Sequence, residues 1–295
     1  MQRDFMDILY HYCNPAAFLS IIGNRCIWLS SLSLSNDAME GKLVGSTFRT
    51  LFDRNKLNEK QASMVIDAIK SLEEVIDGLG FCLSEKGDLL SQWRGYSGDG
   101  QGFSIGFSKE YLESLNNSRD KNTPGFSTER VIYELAEHES ALQPIFERIL
   151  QDILIGKLNP PSPPSMLMGL DHEAGQKIYE LAREEYGKAV HNMMSKVFMV
   201  LSHLFRLKNP AFREEAEWRL ISHLFNELED ECEFRISAER LIPFRSIALK
   251  NLDIPAIREV ILGPKNITPE FVVSKFLEKN GFVGVTVKRS SATYR

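Results

Sequence analysis

The N-terminal part of the chain combines short apolar runs with one short helical segment. Residues 8–12 form an apolar and aromatic run that predicts a strand, and Asn14 followed by Pro15 predicts the N-cap and the first turn of a helix. The helix is expected to end within residues 23–24, and residues 26–29 predict a second strand. The chain therefore opens with a strand, a short helix and a second strand, whose ends carry polar side chains.

Apolar residues recur at helical spacing in the next two stretches, residues 39–52 and 59–77. Gly78-Leu-Gly80 is expected to break the second of these helices, and residues 81–84 predict a short buried strand. Two helices and a third strand therefore follow the opening segment.

Residues 87–102 are rich in glycine and predict a loop, yet they carry Trp93, Arg94 and Tyr96. A loop that only connects two elements seldom carries so many large polar and aromatic side chains, which favours a binding role. The alternative is that Trp93 anchors the loop in the core.

The second half of the chain returns from a helical to a β pattern. Residues 135–205 are helical in pattern, with a proline-rich connector at residues 159–164. Strands are predicted at residues 216–222, 232–237, 245–249, 257–262 and 284–288. Regular strand–helix alternation is missing, so the predicted class is α+β, a single domain of residues 1–295 with a helical insertion at residues 135–208.

The composition is that of an ordinary globular protein, with 43% hydrophobic and 25% charged residues and a formal net charge of −5. This charge argues against a broad basic surface for nucleic acid. No apolar run is long enough to span a bilayer, and the N-terminus lacks the apolar region of a signal peptide, so we expect a cytoplasmic protein without a membrane partner. The four cysteines and six histidines show no metal-ligand spacing, so no metal site is predicted.

Several segments together resemble the DUF2971 family of uncharacterised bacterial and phage-associated proteins. They are Leu9-Tyr-His-Tyr12, Ile27-Trp-Leu-Ser30, Asn36-Asp-Ala-Met-Glu40, Phe81-Cys-Leu-Ser84, Gln92-Trp-Arg-Gly-Tyr96, Gly102-Phe-Ser-Ile-Gly-Phe107, Phe212-Arg-Glu-Glu-Ala-Glu-Trp-Arg219, Ile261-Leu-Gly-Pro264 and Ser291-Ala-Thr-Tyr-Arg295. Ala38 stands where the family usually has proline. The family's context implies a role in conflict between bacteria and phages.

A second resemblance is to ADP-ribosyltransferases, whose mixed or antiparallel split β-sheet holds NAD through three strand-borne positions. His11 matches the first position, Ser30 or Ser31 the second, and Glu217 the third. The resemblance implies that His11 donates a hydrogen bond to a ribose hydroxyl and that Glu217 stabilises positive charge on the ribose as the nicotinamide bond breaks. It also implies that Glu215 assists attack by the acceptor.

Each of these residues has a simpler interpretation. His11 lies between two tyrosines and is equally well explained as a core histidine bonded to a carbonyl. Glu215 and Glu217 project from the same face of a strand, where surface ion pairs with Arg213 or Arg219 are the common case.

The type and position of other residues complete the hypothetical NAD site. Arg94, in a glycine-rich loop, is well suited to hold a diphosphate with its planar fork. Tyr12 or Tyr96 would stack on a ring, and the loop with Asn36 and Asp37, which follows the second strand, would lie along the dinucleotide. Asn36 or Asp37 is also a good N-cap for a helix that begins at Ala38.

The leading hypothesis is an ADP-ribosyltransferase-like enzyme that uses NAD as substrate and transfers ADP-ribose to a protein, a nucleic acid or water. The alternatives are a nucleotide-sensing module without catalysis and a metal-dependent nuclease, in which Asp37, Glu40, Glu215 and Glu217 would converge on the ion. The sequence indicates neither the acceptor nor the oligomeric state.

Overall fold

The protein is described from a computed structural model, which covers residues 8–35, 41–57, 59–118, 125–163, 172–225, 232–237 and 239–294. Within these ranges the strands are β1 (Ile8–Cys13), β2 (Cys26–Ser31), β3 (Ile76–Ser84), β4 (Phe103–Ser108), β5 (Ser127–Arg130), β6 (Glu217–Phe225), β7 (Glu233–Ser237), β8 (Arg240–Ala248), β9 (Ile257–Leu262) and β10 (Thr286–Arg289). The α-helices are α1 (Pro15–Asn24), α2 (Leu43–Arg54), α3 (Glu59–Val75), α4 (Leu90–Tyr96), α5 (Lys109–Asn117), α6 (Leu135–Leu154), α7 (His172–Val197), α8 (Leu201–Leu204) and α9 (Glu270–Lys279), with 3₁₀ helices at Phe198–Val200 and Pro210–Glu215. None of the helices within the described ranges is long and apolar enough to cross a membrane.

The strands form one mixed, open sheet in the order β10-β9-β4-β1-β3-β2-β8-β7, and β6 pairs with both β3 and β5. The β9–β10 pair is parallel, whereas β1–β4, β2–β8 and β4–β9 are antiparallel. The predicted mixed sheet with helices is confirmed.

The opening strand, helix and strand are confirmed as β1, α1 and β2. The side chain of Asn14 accepts a hydrogen bond from the backbone N–H of Ala17 at 2.8 Å, which caps α1 as the sequence predicts. The helix ends at Arg25, whose φ of 51° is left-handed. Only Arg25 separates the end of α1 from the start of β2.

The sheet is weakly joined around β3. The register between β1 and β3 consists of the pair Tyr10–Ser84, and that between β2 and β3 of Ser30–Gly80 and Ser31–Leu79. By contrast, β1 and β4 are paired along the whole length of β1. Few residue pairs thus join β3 to its two neighbours, and residues of β1, β2 and β3 line a common cavity.

The glycines predicted to break a helix at residues 78–80 lie inside β3 instead. A Cβ atom on Gly80 would stand 2.6 Å from Cδ2 of Leu32, so Gly80 permits a close approach between segments. The helix α3 already ends at Val75, and β3 begins at the next residue. The predicted loop at residues 87–102 is likewise wrong in part, because α4 occupies its centre.

The chain divides into two compact units. The first contains the described residues within 1–38, 77–131 and 208–295, and the second those within 39–76 and 132–207. The second unit is helical, and Phe48, Phe52 and Phe146 pack in its core with ring centroids 5.3–6.1 Å apart. It includes most of the predicted insertion at residues 135–208 together with α2 and α3; the single-domain organisation stays a prediction.

Candidate functional site

The first unit contains a cavity of about 190 Å³ beside the sheet. Its walls come from β1, β2, β3, β7 and α1, and the residues that line it are His11, Ala17, Ser20, Ile21, Cys26, Trp28, Ser30, Phe81 and Arg235. His11 and Ser30, which the sequence assigned to one site, are therefore brought together. Ser31 is buried and is not among the residues that line the cavity, whereas Ser30 is.

The ring of His11 is fixed on two sides. It stacks on Phe81 with centroids 4.0 Å apart, and its Nδ1 lies 2.8 Å from the carbonyl oxygen of Cys82. Enclosure by protein lowers the pKa of His11 to about 4, although the hydrogen bond to Cys82 opposes this. The imidazole is therefore neutral at pH 7, with its single proton on Nδ1.

This arrangement corrects the predicted role of His11 as a donor. A carbonyl oxygen can only accept, so Nδ1 must donate to Cys82 and Nε2 is left as an acceptor. The simpler interpretation, a histidine bonded to a carbonyl, is also correct. The same ring donates to the carbonyl oxygen of Cys82 and lines the cavity.

Two further side chains give the cavity an aromatic wall and a hydroxyl. Trp28 packs on Phe244 with centroids 4.5 Å apart and remains 36% exposed, so part of its ring is free to contact a ligand. Oγ of Ser30 accepts a hydrogen bond of 3.3 Å from Nη2 of Arg235. The sequence analysis did not single out Trp28 and Arg235.

Glu217 lies in a buried cluster of four charged side chains and does not line the cavity. Its Oε1 is 2.7 Å from Nε of Arg219, and its Oε2 is 2.7 Å from Nζ of Lys208. Lys208 also contacts Oε2 of Glu215 at 2.6 Å. Two carboxylates and two cations thus compensate one another, and the predicted surface ion pairs are in fact buried.

The cluster keeps Glu217 ionised. Burial alone would raise its pKa, but the positive charges of Arg219 and Lys208 lower the pKa of Glu217 to about 2. In return, the two carboxylates raise the pKa of Lys208 against the effect of its burial. Glu215 extends the cluster toward the surface, where its Oε1 accepts a hydrogen bond of 3.1 Å from the exposed Tyr96.

Cys82 connects the cavity with this cluster. Its carbonyl oxygen accepts the hydrogen bond of His11, and its thiol is close enough to Glu217 for the charge of the carboxylate to act on it. Cys82 is partly accessible to solvent. Even so, desolvation by the surrounding protein and the negative charge of Glu217 raise the pKa of the thiol well above its ordinary value. The thiol is therefore protonated at neutral pH.

Tyr12 and Arg94 lie away from the cavity. The ring of Tyr12 is buried against Trp93 with centroids 4.8 Å apart, and its hydroxyl donates to the carbonyl oxygen of Lys86. Arg94 lies exposed on α4, where its guanidinium stands 5.7 Å from the ring centroid of Tyr294. The predicted ring contact of Tyr12 and phosphate contact of Arg94 find no support in this placement.

Asn36 and Asp37, together with Glu40, lie outside the described residues. In the part of the chain that is described, no group of three or more histidine, cysteine, aspartate or glutamate side chains is placed to hold a metal ion.

The missed residue Arg235 belongs to an alternating strand, Glu233-Phe-Arg-Ile-Ser237. The alternation places Glu233, Arg235 and Ser237 on one face of β7. That signal is visible in the sequence, but Ser30 lies 205 positions away and the pairing of β2 with β8 and of β8 with β7 is needed to connect them.

Comparison with known proteins gives one match. The model of a family described as a protein of unknown function, DUF2971, matches residues 92–220. No curated protein and no solved structure matches the chain. The matched region contains Arg94, Tyr96 and the charged cluster, whereas His11, Ser30 and Arg235 lie outside it.

Proposed function

We propose that the cavity binds a ribose-containing nucleotide, with NAD as the leading candidate. The proposal comes from the site itself, because the family that the chain resembles over residues 92–220, DUF2971, is described without a function. The observation that carries this proposal is the meeting of His11, Trp28 and Ser30 in one cavity. Sugar hydroxyls and a flat ring are the groups that these three side chains suit.

Each contact has a chemical partner on such a ligand. Nε2 of His11 accepts a hydrogen bond from a ribose hydroxyl, and the hydroxyl of Ser30 donates to or accepts from a second one. The exposed part of the Trp28 ring stacks on the nicotinamide or the base. Because His11 is neutral at pH 7, these contacts do not depend on a protonated imidazole.

The size of the cavity limits what it encloses. Its volume of about 190 Å³ is below the roughly 300–1,000 Å³ of sites that enclose drug-sized ligands. A whole dinucleotide does not fit, so one half of NAD, a ring with its ribose, would enter while the other half lies outside.

Transfer of ADP-ribose is the second candidate, and the link through Cys82 favours it. Cys82 joins His11 to Glu217, whose carboxylate is ionised and suited in charge to stabilise an oxocarbenium ion. However, Arg219 and Lys208 already neutralise that carboxylate, which weakens its effect on a developing positive charge. Nucleotide binding without catalysis therefore ranks first.

Calorimetry with NAD tests binding, and chromatography of the same mixture tests for nicotinamide release. Wild type is expected to bind NAD, and His11→Phe is expected to bind it more weakly. Nicotinamide release by wild type would establish the transferase if it is lost in a Glu217→Gln protein that still binds NAD and is kept in the exposed control Glu214→Gln. Absence of any NAD binding by wild type would overturn the proposed nucleotide site.

A further inference from the structure

Arg235 is the one permanent charge among the residues that line the cavity. Its Nη2 donates to Ser30, and its Nε is buried with no hydrogen-bond partner among the described residues. The lining contains no carboxylate, and the structure gives Arg235 no ion pair within the described ranges. The cavity therefore carries a positive charge that no carboxylate of the described ranges compensates.

An uncompensated and partly desolvated guanidinium is costly unless an anion joins it. Burial lowers the pKa of Arg235, which agrees with a cation that has lost part of its water. The planar fork of arginine matches two oxygens of a phosphate, and turning the group toward the cavity would give Nε–H the acceptor that it lacks.

We propose that Arg235 binds the phosphate of the ligand, so that the cavity selects phosphorylated ribose and thus nucleotides over nucleosides. This inference rests on the proposed nucleotide site and adds its charge preference. The phosphate lies next to Ser30, and the ribose reaches His11 across the cavity. In this proposal the phosphate contact predicted for Arg94 is made by Arg235 of β7 instead.

The test compares ligands that differ only in the phosphate: adenosine with AMP, and nicotinamide riboside with nicotinamide mononucleotide. Each pair is titrated by calorimetry into wild type, Arg235→Gln and Arg235→Lys. The matched control is Arg240→Gln, which removes an exposed arginine of the same hairpin that lies outside the cavity lining and donates to the carbonyl oxygen of Leu34.

Wild type and Arg240→Gln are expected to bind the phosphorylated member about ten- to hundredfold more tightly. In Arg235→Gln the two members of a pair should bind equally, and Arg235→Lys should recover part of the preference. A preference that survives Arg235→Gln, or its absence in wild type, would overturn the inference while the nucleotide site itself stands.

Inorganic pyrophosphate separates this inference from the proposed function. We expect it to raise the melting temperature of wild type and of Arg240→Gln, but not that of Arg235→Gln. If pyrophosphate stabilises the protein through Arg235 but no nucleoside or nucleotide binds, the anion site is supported and the proposed nucleotide site is rejected. If neither nucleotide affinity nor the stabilisation by pyrophosphate depends on Arg235, the anion site is rejected.

Discussion

His11 and Glu217 both interact with Cys82 of β3, because the carbonyl oxygen of Cys82 accepts from Nδ1 of His11 at 2.8 Å while the charge of Glu217 raises the pKa of the Cys82 thiol. The hydrogen bond fixes the tautomer of the imidazole and leaves Nε2 as an acceptor. The second interaction places the ion cluster next to the same strand. Changes at His11 and at Glu217 can therefore be separated by experiment into effects on binding and effects on stability.

Replacing His11 with Phe should weaken NAD binding. The aromatic ring keeps the stack on Phe81, but the acceptor nitrogen is gone, which costs about 0.5–1.5 kcal/mol for a neutral hydrogen bond. We expect a loss of affinity of roughly three- to tenfold by calorimetry. The control His191→Phe changes an exposed histidine of the helical unit and should bind like wild type.

The same variant should remove a dependence of stability on pH. The folded pKa of His11, about 4, lies below its ordinary value of 6.5, so between these values the unfolded chain binds the extra proton. The free energy of unfolding of wild type should fall, relative to His11→Phe, as the pH is lowered from 6.5 toward 4. Above pH 6.5 the difference should be constant. Denaturant titrations at intervals across this range measure it, and parallel curves for both proteins would contradict the assigned protonation state.

Glu217→Gln should destabilise the protein strongly. The amide leaves Lys208 with only Glu215 and leaves Arg219 without its closest carboxylate, and breaking a buried pair costs about 3–5 kcal/mol. Urea denaturation of this variant beside Glu214→Gln, an exposed glutamate nearby, measures the difference. Equal stability of the two variants would show that the cluster contributes little.

Gly80→Ala should also destabilise the protein, because the added methyl group would stand 2.6–2.8 Å from side-chain carbons of Leu32. Overpacking of this kind costs about 1–3 kcal/mol. Leu32→Ala in the same chain should recover much of that cost in a double-mutant cycle.

At Gly95, in α4, the same substitution meets no atom within 4 Å and should stabilise the helix by up to about 1 kcal/mol.

Asp88→Asn should release the C-terminal segment. The carboxylate of Asp88 accepts from Nε1 of Trp93, from both the backbone N–H and the hydroxyl of Ser291, and from the hydroxyl of Ser290. An amide can accept at only one of the two oxygen positions, and a hydrogen bond to a charged group contributes about 1.5–3 kcal/mol. Hydrogen exchange at Ser291 should become faster than in the exposed control Asp253→Asn. Unchanged protection would place the anchor elsewhere.

Features that depend on neighbours in sequence were predictable. The cap at Asn14, the prolines and the apolar spacing act within a few residues, and they gave β1, α1 and β2 correctly. The strand positions after residue 210 follow for the same reason, since alternation of polar and apolar residues is local.

Features that depend on pairing across the chain were not predictable. Whether Gly80 breaks a helix or admits Leu32 depends on which segment approaches it. The burial of Glu217 depends on Lys208 and on the strands that cover both, so the sequence offered surface ion pairs as the commoner case. The position of Arg235 beside Ser30 depends on the strand order β2-β8-β7, which local patterns do not contain.

The sheet order also sets when the fold can be completed during synthesis. Strand β4 is held between β1 and β9, and its pairing of Phe103 with Leu262 closes a very long loop of chain. Contacts of such sequence separation form slowly and leave strand edges open until they do. A ribosome must therefore deliver the chain through residue 262 before β4 gains its second neighbour, and a nascent chain stalled earlier would present an unpaired strand edge to chaperones.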